Sequence, residues 1–144
     1  MLRVRDIMTR HVVSLAVEAS LDSAAWKLAN EAVTGAPVRD QHGNVVGVLS
    51  RSDLADALRL GETDRSVGEA MTAGVWAVHP DAPAIEAVQL MVDCGIHRAV
   101  VLRGPGRLEG IVTRISESAG AYRDKKGLVL LIFAMSFMVH FTTA

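Results

Sequence analysis

Residues 4–54 recur as residues 67–117 at a constant offset of 63, without a gap. Val4-Arg5-Asp6-Ile7-Met8-Thr9 is answered by Val67-Gly68-Glu69-Ala70-Met71-Thr72, and Gly47-Val48-Leu49-Ser50-Arg51 by Gly110-Ile111-Val112-Thr113-Arg114. Eleven of the 51 pairs are identical, against roughly three expected from ordinary residue usage. Pairs such as Glu18/Asp81, Val48/Ile111 and Ser50/Thr113 keep the chemistry where they change the residue. A unit of this length seldom buries its apolar face alone, so the two copies are expected to pack on each other about a pseudo-twofold axis. The cleft between them is the first place to look for function.

Within each copy the apolar period changes. Leu21, Ala24, Ala25, Leu28, Ala29 and Ala32 fall at helical spacing, as do Ala84, Ala87, Val88, Met91 and Val92, with Pro83 near the helix start where a missing N–H is harmless. Strands are predicted over 36–39 and 45–50, joined by Gln41-His42-Gly43-Asn44, and over 99–103 and 108–113, joined by Gly104-Pro105-Gly106. Ser52 is the expected N-cap of a helix over 53–60. Each copy therefore reads as short strand, helix, strand, turn, strand, helix: copy one over 1–60, a linker over 61–66, and copy two over 67–121 with an atypical end.

With 144 residues, half of them apolar, and a formal charge of −1, the chain can bury a substantial core and presents no basic footprint for nucleic acid. Cys94 is the single cysteine, which excludes an intrachain disulfide, and it falls at a predicted helix end where a buried, inert thiol is expected. His11, His42, His79, His97 and His140 show no metal-ligand spacing, and no phosphate loop, nucleophile elbow or catalytic carboxylate pair stands out. Asp6 and Glu69 occupy matching positions, but acidic starts to short helices account for them. A non-enzymatic protein with no required cofactor is expected. No secretory signal opens the sequence, which makes the cytoplasm the expected location.

The repeated order of Asp6-Ile7-Met8-Thr9, Gly35-Ala36-Pro37-Val38 and the Gly47-to-Asp53 signature, with partners at Met71, Gly95-Ile96-His97-Arg98 and Gly110-to-Thr113, resembles a tandem pair of cystathionine-beta-synthase (CBS) domains, the Bateman module. The resemblance covers residues 1 to about 117. It implies an α+β fold of two β-α-β-β-α repeats and a regulatory, ligand-sensing role. The implied ligand is an adenine nucleotide or other adenosyl compound: AMP, ADP, ATP, S-adenosylmethionine or NAD. It also implies a homodimer acting on a regulated protein that the sequence does not identify.

The Ser50-Arg51-Ser52-Asp53 segment falls where a strand gives way to a helix, and free N–H groups there are suited to phosphate. Ser50 can donate a hydroxyl, and Asp53 can accept from vicinal ribose hydroxyls. The competing reading is that Ser52 and Asp53 only cap and polarise the helix start. Carried over by resemblance, Asp53 holds the ribose, Ser50 contacts ribose or phosphate, and the backbone at Gly35, Ala36 and Pro37 with the strand near Ser14 forms the base slot. Pro37 has no N–H, so base recognition there must use carbonyls or neighbouring amides. The Ile96-His97-Arg98 run resembles phosphate-contacting segments elsewhere in the superfamily, where Arg98 would grip phosphate in two-pronged fashion and His97 would add charge. Arg51 and Arg114 are further phosphate candidates, beside Thr113 as the counterpart of Ser50. Ser116 stands where Asp53 has its counterpart, so one competent site and one degenerate site are expected.

Beyond residue 117 the second copy stops being a copy. Arg123-Asp124-Lys125-Lys126 precedes a run over 128–141 that is apolar apart from Ser136 and His140. Fourteen helical residues span about 21 Å, short of a ~30 Å hydrocarbon core. A helix sealing a subunit interface is the favoured expectation for residues 122–144. A membrane tail anchor and an altered reading frame near residue 115 are the alternatives.

Overall fold

The computed structural model describes residues 1–113. The element order is α1 (Val4–Ile7), β1 (Leu15–Ala16), α2 (Leu21–Asn30), β2 (Gly35–Arg39), β3 (Val45–Ser50), α3 (Arg51–Arg59), α4 (Val67–Ala70), β4 (Thr72–Ala73), β5 (Ala77–Val78), α5 (Ala84–Asp93), β6 (Arg98–Leu102) and β7 (Leu108–Thr113). The fold is α+β, with one sheet ordered β1-β2-β3-β4 and another ordered β5-β6-β7. Arg114, Ser116 and the apolar run, and with them the expectations of an interface helix or tail anchor, lie outside the described residues. No helix among the described residues is long and apolar enough to cross a membrane.

Two compact units result: one holds residues 1–10, 76–101 and 109–113, the other 11–75 and 102–108. Their cores show that the leading segments are exchanged. Val4, Ile7 and Met8, from the first copy, are buried with Ala84, Ala87, Met91, Ala99, Val101 and Val112 of the second. Val67, from the second copy, is buried with Leu15, Leu21, Ala24, Leu28, Ala36, Val38, Leu49 and Ala57 of the first, with Met71 packed alongside. A ten-residue helix on a small sheet leaves an apolar flank uncovered, and the leading segment of the other copy closes it in each unit. Burying each of these large apolar side chains is worth roughly 1.5–3 kcal/mol.

Backbone pairing follows the exchange. Thr72 pairs with Val48 and Ala73 with Gly47, while Thr9 N donates to Ile111 O at 2.8 Å and Ile111 N to Thr9 O at 3.0 Å. These approaches require glycine beside them. A Cβ on Gly47 would meet Thr72 O and Met71 Sδ, each at 2.6 Å, and one on Gly110 would meet Thr9 O at 2.8 Å and Met8 Sδ at 2.6 Å.

Helix ends differ from the sequence expectation in two places. Ser50, not Ser52, is the N-cap of α3, and the helix begins at Arg51. Ser50-x-x-Asp53 forms a reciprocal capping box that Ser52 could not form, because Asp53 stands three residues beyond Ser50. The first long helix ends at Asn30 instead of running to Ala32, which adopts φ 54°. Its counterpart 63 residues on is Gly95, at φ 63°, and both positions carry the left-handed residue that ends a helix. Pro83 stands at the start of α5 as expected, as its N-cap. Cys94 is the C-cap of α5 and only half-buried, not the fully buried thiol expected.

The two hairpin turns meet inside one unit. Arg39 donates from Nε to Gly43 O at 3.0 Å and from Nη2 to Gly106 O at 3.1 Å. In the first turn Asp40 accepts from His42 N and Asn44 N, both at 2.9 Å. Desolvation pushes its carboxyl upward, but these bonds outweigh that and hold it below its ordinary value of 3.8.

Candidate functional site

Ser14, Gly35, Ala36, Pro37, Ser50, Arg51 and Asp53 all belong to the unit of residues 11–75 and 102–108. β2 carries three of them and pairs antiparallel with β3, in a register that sets Gly35 opposite Ser50, Ala36 opposite Leu49 and Pro37 opposite Val48. The start of β2 and the start of α3 are thereby adjacent. Arg51 N donates to Thr34 O at 2.9 Å and fixes that junction.

At the head of α3, Ser50 Oγ accepts from Asp53 N at 3.2 Å, and Asp53 Oδ2 accepts from Ser50 N at 2.8 Å. Ser50 Oγ also lies 2.9 Å from Ser52 Oγ. The cluster of free helix-start amides expected for phosphate is therefore largely consumed: Arg51 N and Asp53 N are both bonded. Capping is shared by Ser50 and Asp53, not by the expected Ser52 and Asp53, and it leaves chemistry over. Asp53 Oδ1 takes no partner among the described residues, and a half-buried carboxylate oxygen fixed by its sibling is a pre-oriented acceptor for a hydroxyl pair. The Arg51 side chain is exposed beside it, without a bond to the described residues.

β1 pairs parallel with β2 only at Leu15/Val38 and Ala16/Arg39. The first residues of β2 thus run beyond the end of their parallel neighbour. Ala36 and Pro37 are buried, Gly35 is half-buried, and Ser14 is half-buried with its carbonyl accepting from Lys27 Nζ at 2.9 Å. The ingredients are an apolar floor, an incompletely paired strand edge, a carboxylate oxygen and a free guanidinium. Such a set can hold a flat base, a sugar and an anionic or polar tail.

Ile96, His97, Arg98 and Thr113 belong to the other unit. Ile96 packs partly against its core, His97 is exposed, and Arg98 is half-buried as the first residue of β6 instead of preceding that strand. Thr113 is exposed at the end of β7, the strand beside β6.

The sequence matches the CBS domain family over residues 4–60 and again over 67–116. It is 33% identical over 122 residues to an inosine-5'-monophosphate dehydrogenase of Halobacterium salinarum, covering 81% of this chain and 24% of that one. It is 32% identical over 109 residues to a homoserine O-acetyltransferase of Methanococcoides burtonii, covering 76% and 22%. The chain thus spans about a quarter of the length of these curated relatives. Among solved structures, the CBS domain pair of protein MJ0100, in complex with 5'-methylthioadenosine and S-adenosyl-L-methionine, superimposes with a TM-score of 0.73 at 28% identity, covering 87% of this chain and 98% of that one. CBSX2 in complex with AMP does so with a TM-score of 0.70 at 28% identity, covering 87% and 99%. Two matched repeats, an α+β fold and these likenesses agree: the chain belongs to the CBS domain family and carries two tandem copies of the domain.

Proposed function

We propose that the protein is a regulatory module that binds an adenine nucleotide or other adenosyl ligand on the face built by the start of β2, the end of β3 and the head of α3. The arrangement of Asp53 carries this reading: its Oδ2 is spent on the cap while Oδ1 stays open beside a strand edge suited to a base. Support comes from solved CBS pairs of similar fold bound to AMP, S-adenosyl-L-methionine and 5'-methylthioadenosine. Asp53 would accept from the ribose, Arg51 would meet the phosphate or charged tail, and Gly35 to Pro37 with Ser14 would bound the base. In the second copy Arg98, His97 and Thr113 would offer a weaker phosphate site. Regulation requires that the ligand prefer one arrangement of the protein over another; tenfold preference corresponds to about 1.4 kcal/mol. A cytoplasmic homodimer acting on a separate regulated protein completes the proposal.

A second reading, a ligand-free dimerisation module, is favoured by a different observation. Trp26, Leu58 and Leu60 expose 69%, 66% and 61% of their surface on and beside α2 and α3, which suits burial against another chain.

Calorimetric titration with AMP, ADP, ATP, S-adenosylmethionine and NAD separates the two. The expected result is binding of at least one at about one per chain. Asp53→Asn, which keeps an acceptor for Ser50 N, should leave the melting temperature nearly unchanged and weaken binding by roughly 1.5–3 kcal/mol, the value of a charge-assisted bond. Asp53→Ala should lower both. Binding of none of the five would leave the interaction module standing.

A further inference from the structure

Met8 and Met71 are counterparts at the offset of 63, and they are the C-caps of α1 and α4, the short helices of the two exchanged segments. Each thioether fills the place of a missing side chain. A Cβ on Gly110 would meet Met8 Sδ at 2.6 Å and Cγ at 2.9 Å, and one on Gly47 would meet Met71 Sδ at 2.6 Å and Cγ at 3.2 Å. The residue after each methionine makes the backbone pair that fastens its segment. Thr9 and Ile111 exchange bonds in one unit, and in the other Gly74 N donates to Val46 O at 3.1 Å, which makes Thr72 and Val48 the next bonded pair of that ladder.

The two seats differ in closure. Met8 is 6% exposed and a member of its core, whereas Met71 is half-buried and packs alongside its own. Met71 leads into β4, which is two residues long, exposed at both, and the edge of its sheet. A short, exposed edge strand opens locally at low free energy, which bares the adjoining thioether further. Of the other described methionines, Met91 is buried and Met1 is exposed at the start of the sequence.

We propose that Met71 is a sulfoxidation site, and that its oxidation by a peroxide releases β4 from β3 while Met8 stays protected. A sulfur lone pair takes one oxygen of hydrogen peroxide, the O–O bond breaks, and the other oxygen leaves as water with both protons. Sulfur loses the two electrons that the peroxide gains. The sulfoxide is polar, and a sulfoxide reductase can reverse it. Its oxygen must either enter the tight space against Gly47 or turn the side chain out to water, and both remove the packing beside the Thr72–Val48 pair. Val48 stands between Thr72 and Pro37, and β3 ends at Ser50, the cap of α3. The strand that loosens is thus the one leading into the proposed ligand face. Packing alone carries this site, and a failure of adenosyl binding would leave it standing.

The test exposes the full chain to hydrogen peroxide, with peptide mass mapping of its six methionines and hydrogen exchange at Thr9, Val48, Thr72 and Ile111. Met71 sulfoxide should form at least about tenfold faster than Met8 sulfoxide. Exchange at Val48 and Thr72 should then accelerate at least about tenfold while Thr9 and Ile111 stay within about twofold, and a methionine sulfoxide reductase should restore the slow rates. Met71→Leu keeps an apolar side chain of similar volume without the oxidisable sulfur, and should hold Val48 and Thr72 at their slow rates through the same exposure. Equal oxidation of Met8 and Met71 overturns the proposal, and so does unchanged exchange at Val48 and Thr72 in chains oxidised at Met71; neither outcome needs a variant. Peroxide-accelerated exchange of these two amides in Met71→Leu assigns the effect to another residue and overturns it as well.

Discussion

Ser50 and Asp53 cap α3 and, in the function proposed above, would also meet the ligand. Their capping box satisfies two helix-start donors, and substitution of the serine cap typically costs about 1 kcal/mol. The proposed ribose role would use the remaining oxygen, so keeping shape without charge separates the two tasks, as the Asp53→Asn and Asp53→Ala comparison exploits. Ala32 gives the clearest stability prediction at this scale. It holds φ 54° where the second copy has Gly95, and a Cβ in the left-handed region costs roughly 1–2 kcal/mol. Ala32→Gly should therefore stabilise the protein by about 0.5–1 kcal/mol, after the larger entropy glycine loses on folding, read as a rise in the urea midpoint at unchanged slope. Asp53 was singled out in the sequence by the repeated signature it closes, but its capping box with Ser50 was not, because the cap was placed at Ser52. The consumption of Arg51 N by Thr34 O was not legible there either, because Thr34 reaches that amide only through the β2–β3 register.

At the scale of elements, the long helices and the hairpin strands follow from period and turn residues. Strands β3 and β7 span the residues their alternation indicates, 45–50 and 108–113. The two-residue strands and four-residue helices carry too little pattern to be read alone. α1 and α4 exist because their apolar residues find a core elsewhere in the chain, and β4 because Gly47 admits it. A steric prediction follows for the corresponding site in the other unit. Gly110→Ala places a Cβ 2.8 Å from the Thr9 carbonyl, a backbone atom that cannot swing aside. It should cost about 1–3 kcal/mol and speed hydrogen exchange at Thr9 and Ile111, whose mutual bonds span the contact.

For the whole molecule, the exchange of leading segments decides how stability is shared. Ile7 belongs by sequence to the first repeat and by packing to the core of α5, β6 and β7, where it is 5% exposed. Ile7→Ala should cost about 2–5 kcal/mol, and hydrogen exchange should accelerate in α5 and β6 of the second repeat before α2 and β2 of the first. Faster exchange confined to residues 4–54 would contradict the exchange of segments. The sequence by itself determined the duplication, the α+β elements and the family resemblance, because period and turn chemistry are local and act within a few residues. Only the tertiary structure decided which core each leading segment enters and which helix-start amides are spent. Those depend on contacts between residues tens of positions apart, whose pairing is set by the apolar surface each unit must cover and by the backbone bonds each strand edge must make.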